Sequence, residues 1–270
     1  MNKLQNEIIN ELGVKPTIDA NEEIENRVAY LVNKLGDSGL KGFVLGISGG
    51  QDSLLAGLLA QRAAEQIRAD GGQAEFHAVL LPYGRQADRD DALLALSVIK
   101  PDRKHDFDIS RGVDAVADTF LGAEGQSISD FSKGNLKARI RMATQYIYAN
   151  EHDLLVIGTD HAAEAAVGFF TKYGDGGADI LPLSGLNKRQ GRMILRALGA
   201  PERFMTKAPT ADLLDIRPGQ PDEFELGLTY DNIDDYLEGK TIDPAAAKVL
   251  EDRFVGTIHK RSLPDAYTNQ

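Results

Sequence analysis

The chain of 270 residues contains no cysteine, which excludes disulfides, thiolate metal sites and a cysteine nucleophile. It has no apolar run near the roughly 18 to 20 residues that cross a bilayer. Its start, Met1-Asn2-Lys3-Leu4-Gln5-Asn6-Glu7, lacks the unbroken apolar stretch of a secretory signal, so a cytoplasmic protein without membrane contact is expected. Positive charge is in short supply: 30 Lys and Arg stand against 41 Asp and Glu, for a net charge of -11. A field of that sign repels a phosphate backbone, so nucleic acid is not an expected partner. A small anion can still bind where backbone amides, a few lysines and a divalent cation locally overrule that field. No internal repeat, low-complexity tract or linker breaks the chain, and one domain over 1–270 is the simplest organisation. A hydrophobic share of 42% with 26% charged residues supports a packed core.

The first 42 residues read as helix, with Ile24, Val28, Leu31, Val32 and Leu35 at spacings of three and four and Asp19 placed to cap ahead of Glu22. Gly42 to Ile47 is an apolar run without alternation, as in a strand buried on both faces. Helical spacing follows from Leu54 to Ile67. The alternation continues with a strand over Phe76 to Leu81, a helix over Ala87 to Ile99, and a short strand over His105 to Ile109. Helices near Val113 to Phe120 and Asn135 to Asn150 precede a strand over Leu154 to Gly158. The pattern predicts an α/β fold, a parallel sheet flanked by helices on both faces, with ligands at the carboxyl ends of the strands. Beyond Ala162 come a glycine-rich stretch over Tyr173 to Asp179, a helix near Lys188 to Leu198, and a segment over Pro201 to Pro221 rich in Pro and Asp that reads as a structureless lid. Helices over Asp231 to Glu238 and Pro244 to about His259 complete the chain.

The sharpest local signal is Gly46-Ile47-Ser48-Gly49-Gly50-Gln51-Asp52-Ser53, between a buried strand and a helix. As a phosphate cradle it offers two glycines for close approach, the open amides of a first helical turn, and the hydroxyls of Ser48 and Ser53. It lacks the Lys of a P-loop and carries Asp52 instead, and a carboxylate beside phosphate calls for a bridging cation such as magnesium. The same turn satisfies the G-x-S-x-G pattern of a nucleophile elbow, with His259 in place for a triad but no HGGG oxyanion stretch. A glycine turn without a ligand is the third reading. On the same sheet edge, Thr159 and Glu164 in Gly158-Thr159-Asp160-His161-Ala162-Ala163-Glu164 offer a hydroxyl and a second carboxylate. Their plainer reading is Asp160 as a helix N-cap with Glu164 in the first turn.

Ser48-Gly49-Gly50-Gln51-Asp52-Ser53 resembles the SGGxDS signature of the N-type ATP pyrophosphatases, whose members split ATP between its α and β phosphates. Phe169 to Asp179, Leu186 to Gln190, Asn135 to Arg141, Lys207 to Leu213, Tyr230 to Tyr236 and His259 to Arg261 are similar, in the same order, to stretches of the NAD synthetase family. The resemblance implies a Rossmann-like, adenine nucleotide alpha hydrolase-like core over about 40–200, a mobile loop over about 201–225 and C-terminal helices over 229–261. It implies a C–N ligase: ATP adenylates the nicotinate carboxylate of deamido-NAD, ammonia displaces AMP, and NAD results, the final step of NAD biosynthesis. Position by position, Gly46, Ile47, Ser48, Gly49, Gly50, Gln51, Asp52, Ser53, Thr159, Lys188 and Thr210 match ATP contacts, and Asp52 and Glu164 match magnesium ligands. Arg139, Lys172, Asp179, His259 and Lys260 match deamido-NAD contacts. Asp52, Lys188 and Asp175 are the expected catalytic groups, Asp175 as the base toward ammonium.

The absence of cysteine bears on the nitrogen source, because the amidase attached to glutamine-using relatives employs a cysteine nucleophile. Only 42 residues precede the first strand, too few for such a domain, and free ammonia is the expected donor. The resemblance also implies a homodimer, with the helix over Asn135 to Asn150 and the C-terminal helices as interface elements. Two rival readings keep the loop: a pyrophosphatase with another acyl or nucleobase acceptor, and a nucleotide-binding protein without turnover. The tail Ser262 to Gln270 has no match.

Overall fold

The computed structural model describes residues 2–84, 88–210, 213–217, 219–264 and 266–267. Four strands, β1 (Gly42–Gly46), β2 (Glu75–Leu80), β3 (Arg103–Asp106) and β4 (Leu154–Val156), form one parallel sheet in the order β3-β2-β1-β4. Gly42 pairs with Glu75 on one side and with Leu154 on the other. The chain therefore moves outward from β1 through β2 to β3, then returns to lay β4 on the opposite side of β1. This reversal opens a crevice at the carboxyl ends of β1 and β4, where open α/β sheets bind ligands.

Alternation along β1 explains the layering. Phe43 and Leu45 face a core built with Leu54 and Leu59 of α3 (Gln51–Ala69), Leu31 of α2 (Ala20–Ser38) and Ile194 of α8 (Lys188–Ala197). Val44 faces the other way, onto Val113 of α5 (Ser110–Glu124) and Tyr148 of α6 (Asp130–His152). Both faces being covered, β1 reads as an unbroken apolar run. A separate cluster joins Ile8 of α1 (Lys3–Leu12) to α7 (Ala162–Val167), α11 (Tyr230–Leu237) and α12 (Pro244–Gly256) through Ala163, Ile233 and Phe254.

Several expected boundaries shift. The amino-terminal helix is two helices, because Gly13 takes φ +66° and ends α1, while Asp19 caps α2 by accepting the Asn21 and Glu22 amides at 2.9 Å. The third strand runs Arg103–Asp106 instead of His105 to Ile109: among the described residues it is an edge strand paired only with β2, and its polar start is solvated. The helix expected from Ala87 is α4 (Arg89–Ile99), Ala87 itself lying outside the described residues. The segment over 201–221 is not structureless: it holds α9 (Arg203–Thr206) and is pinned by a bridge between Thr210 and Pro221 just before α10 (Asp222–Leu226). The last helix breaks at Thr257, which packs against Gly168, and resumes as α13 (Ile258–Arg261).

Candidate active site

After β1 the chain turns at Ile47–Gly50 and enters α3 without a side-chain cap at Gly50. The first-turn amides of α3 are thus directed at the crevice, a standing anion site. The turn is held from within: the Ser48 amide donates to Ser53 Oγ at 3.2 Å, the two hydroxyls lie 3.1 Å apart, and the Gly50 amide donates to Ser48 Oγ at 3.3 Å. Gly49 has φ +83°, and a Cβ there would come within 2.6 Å of the Ala92 amide nitrogen in the first turn of α4. Glycine is required at that position twice, by conformation and by packing.

On the β4 side the cap of α7 is His161, with Nδ1 accepting the Glu164 amide at 3.4 Å, so the expectation of Asp160 as cap is corrected. His161 carries the extended backbone of an N-cap, which frees the Asp160 carboxyl to remain among Asp175, Glu164 and His161. Asp52, His161 and Glu164 each present a ligand atom within 4.8 Å of the others, bringing together acids far apart in sequence. Lys188 sits between them, 3% exposed, with Nζ 2.7 Å from Asp52 Oδ2, 3.8 Å from Glu164 Oε1 and 4.9 Å from the centre of the Tyr230 ring. It is placed there by α8, whose Lys188 and Arg189 amides donate to the fully buried Asp234 at 3.0 and 2.7 Å.

Burial opposes charge on both Asp52 and Lys188, yet each is held ionised. Lys188 and His161 lower the Asp52 value, and Asp52 with Glu164 raises that of Lys188. Burial and the neighbouring Asp175 and Glu164 raise Asp160 to about 8. Asp175 rises to about 6 through burial and Glu164, opposed by the amide of Thr171 that donates to it at 2.8 Å. Its side chain lines the cavity and the residue is exposed there.

A cavity of about 300 Å³ joins these groups. Its wall includes Gly46, Ile47, Ser48, Gly50, Gln51, Asp52 and Ser53, with Thr159, Glu164, Asp175, Lys188 and Thr210. Gly49 supports the turn from beneath. The expected dinucleotide contacts form a second group outside this wall. Arg139 Nη2 donates to the Lys172 carbonyl at 3.4 Å, Lys172 Nζ donates to the His259 carbonyl, and Lys260 Nζ donates to the Gly168 and Phe170 carbonyls at 2.7 and 2.8 Å. The His259 ring is exposed. Asp179 stands apart at the end of β4, its carboxylate accepting the Val156 amide at 2.8 Å and the Tyr146 hydroxyl at 2.9 Å.

Residues 23–264 match the NAD synthase family model. The chain belongs to the NAD synthase family. It is 60% identical over 97% of its length to the NH(3)-dependent NAD(+) synthetase of Bacillus licheniformis, of which it covers 96%. Among solved structures it is similar to NAD+ synthetase from Burkholderia pseudomallei, at 46% identity, 96% coverage of both chains and a TM-score of 0.83. It is also similar to NMN synthetase from Francisella tularensis, at 34% identity, a TM-score of 0.82, and coverage of 94% of this chain and 100% of that one.

For this member of the family, sequence reasoning overlooked three groups that the fold brings to the site. His161 lies three residues before Glu164, and helix spacing places such residues on one face. Asp234 acts through the start of α8. Lys207, just after α9, reaches the cavity wall and meets Asp88 and Asp91, both at 2.9 Å. Only the last two needed long-range pairing to be seen.

Proposed function

We propose that this cavity amidates deamido-NAD with free ammonia in two steps at the expense of ATP. In the first, a nicotinate carboxylate oxygen bonds to the α phosphorus while the bond to the bridging oxygen breaks and pyrophosphate leaves. In the second, ammonia nitrogen attacks the acyl carbon, AMP departs with the electron pair, and a proton is lost from nitrogen. A carboxylate alone is a poor electrophile because oxide would have to leave, and adenylation supplies a good leaving group.

The turn over 46–53 and the first α3 amides hold the phosphates, Thr159 and Thr210 add hydroxyl contacts, and Lys188 supplies positive charge where pyrophosphate departs. That division fits a reaction governed by positioning and charge neutralisation. Asp52 and Glu164 suit magnesium, a hard cation that takes one or two carboxylates together with substrate phosphates. The ion would neutralise phosphate charge there. Asp175, with its raised value, takes the proton from the attacking nitrogen. Arg139, Lys172 and Lys260 suit the anionic groups of the dinucleotide, with His259 beside them. Asp179 keeps lone pairs for ribose hydroxyls or a ring nitrogen. The cytoplasm is the proposed compartment. Two copies of the chain pair through α5 and α6, where Val116, Phe120, Phe131 and Ile147 are exposed large apolar side chains.

The observation that carries this reading is the meeting of Asp52, Glu164 and Lys188 beside the glycine turn. The test is to incubate the protein with ATP, magnesium, ammonium and deamido-NAD and to follow AMP and NAD. Parallel tubes replace ammonium by glutamine or deamido-NAD by deamido-NMN, the latter because of the Francisella relative. AMP and NAD together in the first tube, with little in the others, is the expected result. Turnover only with glutamine, or only with the mononucleotide, would overturn the assignment, and AMP absent from every tube would indicate a binding protein.

A further inference from the structure

The cavity presents an electrostatic problem: carboxylates outnumber cations along its wall, and ATP adds a highly charged anion. Among the described residues the wall carries three cations, two of them held deep in the protein or on the backbone. Lys188 is buried against Asp52, His161 and the Tyr230 ring, and Arg141 donates to the Leu81 carbonyl at 3.0 Å. Lys207 differs. Its Nζ bonds Asp88 and Asp91, both at 2.9 Å, and its side chain is 22% exposed at the cavity wall.

The partners of Lys207 tolerate its departure. Asp91 is nearly buried, so stranding its charge would be costly. However, Arg203 Nε also reaches Asp91, at 2.5 Å on the other oxygen, and remains when Lys207 leaves. Asp88 is 31% exposed, and water can replace the ammonium. The pair also lies behind the phosphate turn, since the Cβ position of Gly49 is 3.0 Å from that of Asp91 and 2.6 Å from the Ala92 amide nitrogen. One residue further along stands Ala208, then Pro209 and Thr210, all on the same wall. A flexible ammonium held by a doubly compensated acid, beside an anion cradle, is a cation in reserve.

We propose that Lys207 is a phosphate-binding residue, which exchanges Asp88 and Asp91 for the departing phosphates of ATP while Arg203 keeps Asp91 compensated. The proposal rests on the reading of the turn over 46–53 as the ATP phosphate site. It gives Asp88 and Asp91 a role as a parking place for that charge, and Arg203 the role of positioning residue behind it.

The experiment compares Lys207→Met, Lys207→Arg, Arg203→Met and Asp52→Asn with the parent protein. It measures KM for ATP, KM for deamido-NAD, the inhibition constant of pyrophosphate, and Tm. Where Met at 207 is too unstable to assay, Lys207→Gln takes its place. Loss of one charge-assisted contact predicts that Lys207→Met raises KM for ATP and the pyrophosphate constant together, by on the order of ten- to a hundredfold. KM for deamido-NAD stays put, and Lys207→Arg recovers most of the loss. Arg203→Met, which leaves Asp91 dependent on Lys207 alone, lowers Tm and raises both phosphate constants by less than Lys207→Met does. The proposal is overturned if Lys207→Met leaves those constants unchanged, or if Arg203→Met shifts them equally, which would mark a purely structural pair. Should Asp52→Asn retain full turnover, the phosphate-site reading itself fails, and that outcome is distinct from an inert Lys207→Met.

Discussion

Asp175 and Asp160 are the residues on which pH acts most visibly. In its proposed role, accepting the proton that the attacking nitrogen loses, Asp175 must be ionised, so NAD formation is expected to decline as pH falls through about 6. Asp175→Asn should lower amidation by about 10²- to 10⁴-fold, the usual worth of general-base help, while pyrophosphate release continues. Equal loss of both half-reactions would remove the base assignment. Asp160, raised to about 8 from 3.8, has the opposite sense for stability from a salt-bridged acid. Between those two values the folded chain retains a proton that the unfolded chain has lost, so rising pH costs stability. In the absence of added metal, Asp160→Asn should therefore raise Tm near pH 8 and leave it unchanged near pH 4. A Tm that falls at pH 8 would show that the carboxylate is wanted there. At this scale much of the site was legible, because Ser48, Asp52 and Ser53 lie in one contiguous turn whose chemistry needs no partner to be recognised. Asp234 and Lys207 were not, since each acquires its meaning from partners met only on folding, Asp91 lying 116 residues from Lys207.

Among the elements, the turn between β1 and α3 depends most on a single small residue. Gly49→Ala would force a side chain into the left-handed region and against the first turn of α4. We expect a loss of about 1–3 kcal/mol, seen as a lower denaturation midpoint, with a higher KM for ATP because the phosphate amides shift. An alanine variant with unaltered midpoint and KM would show that the turn does not lean on α4. The strands that sequence patterning locates well are β1 and β2, which are covered on both faces and mostly apolar, Glu75 and His77 of β2 excepted. β3 is displaced from expectation because an edge strand beginning Arg103-Lys104 carries no apolar signal. α7 is only 6 residues long, too short for periodicity, and is recognisable only from its His161 cap. The segment after Pro201 looked structureless because Pro and Asp dominate it, whereas α9 is held by the ion pairs of Arg203 and Lys207 to Asp91.

For the whole molecule, the net charge of -11 sets the problem that the site solves locally. In the proposed account an anion is admitted where the α3 amides, Lys188 and the Asp52–Glu164 pair converge. No helix among the described residues is long and apolar enough to cross a membrane. Apolar side chains stand in water on α5 and α6, with Phe131 67% and Ile147 66% exposed, and the proposed pairing of two copies would cover them. Sedimentation should give the mass of a dimer, and Phe131→Asp with Ile147→Asp should shift it toward the monomer. A parent chain that sediments as a monomer at micromolar concentration would contradict the pairing.

The most direct test of the central claim is pyrophosphate release in the absence of ammonia, measured with ATP, magnesium and deamido-NAD for the parent chain, Asp52→Asn and Glu164→Gln. The account predicts a stoichiometric burst from the parent protein, and in each variant, still folded at the assay temperature, a loss of about a hundredfold or more in its rate. A normal burst from either variant would contradict it.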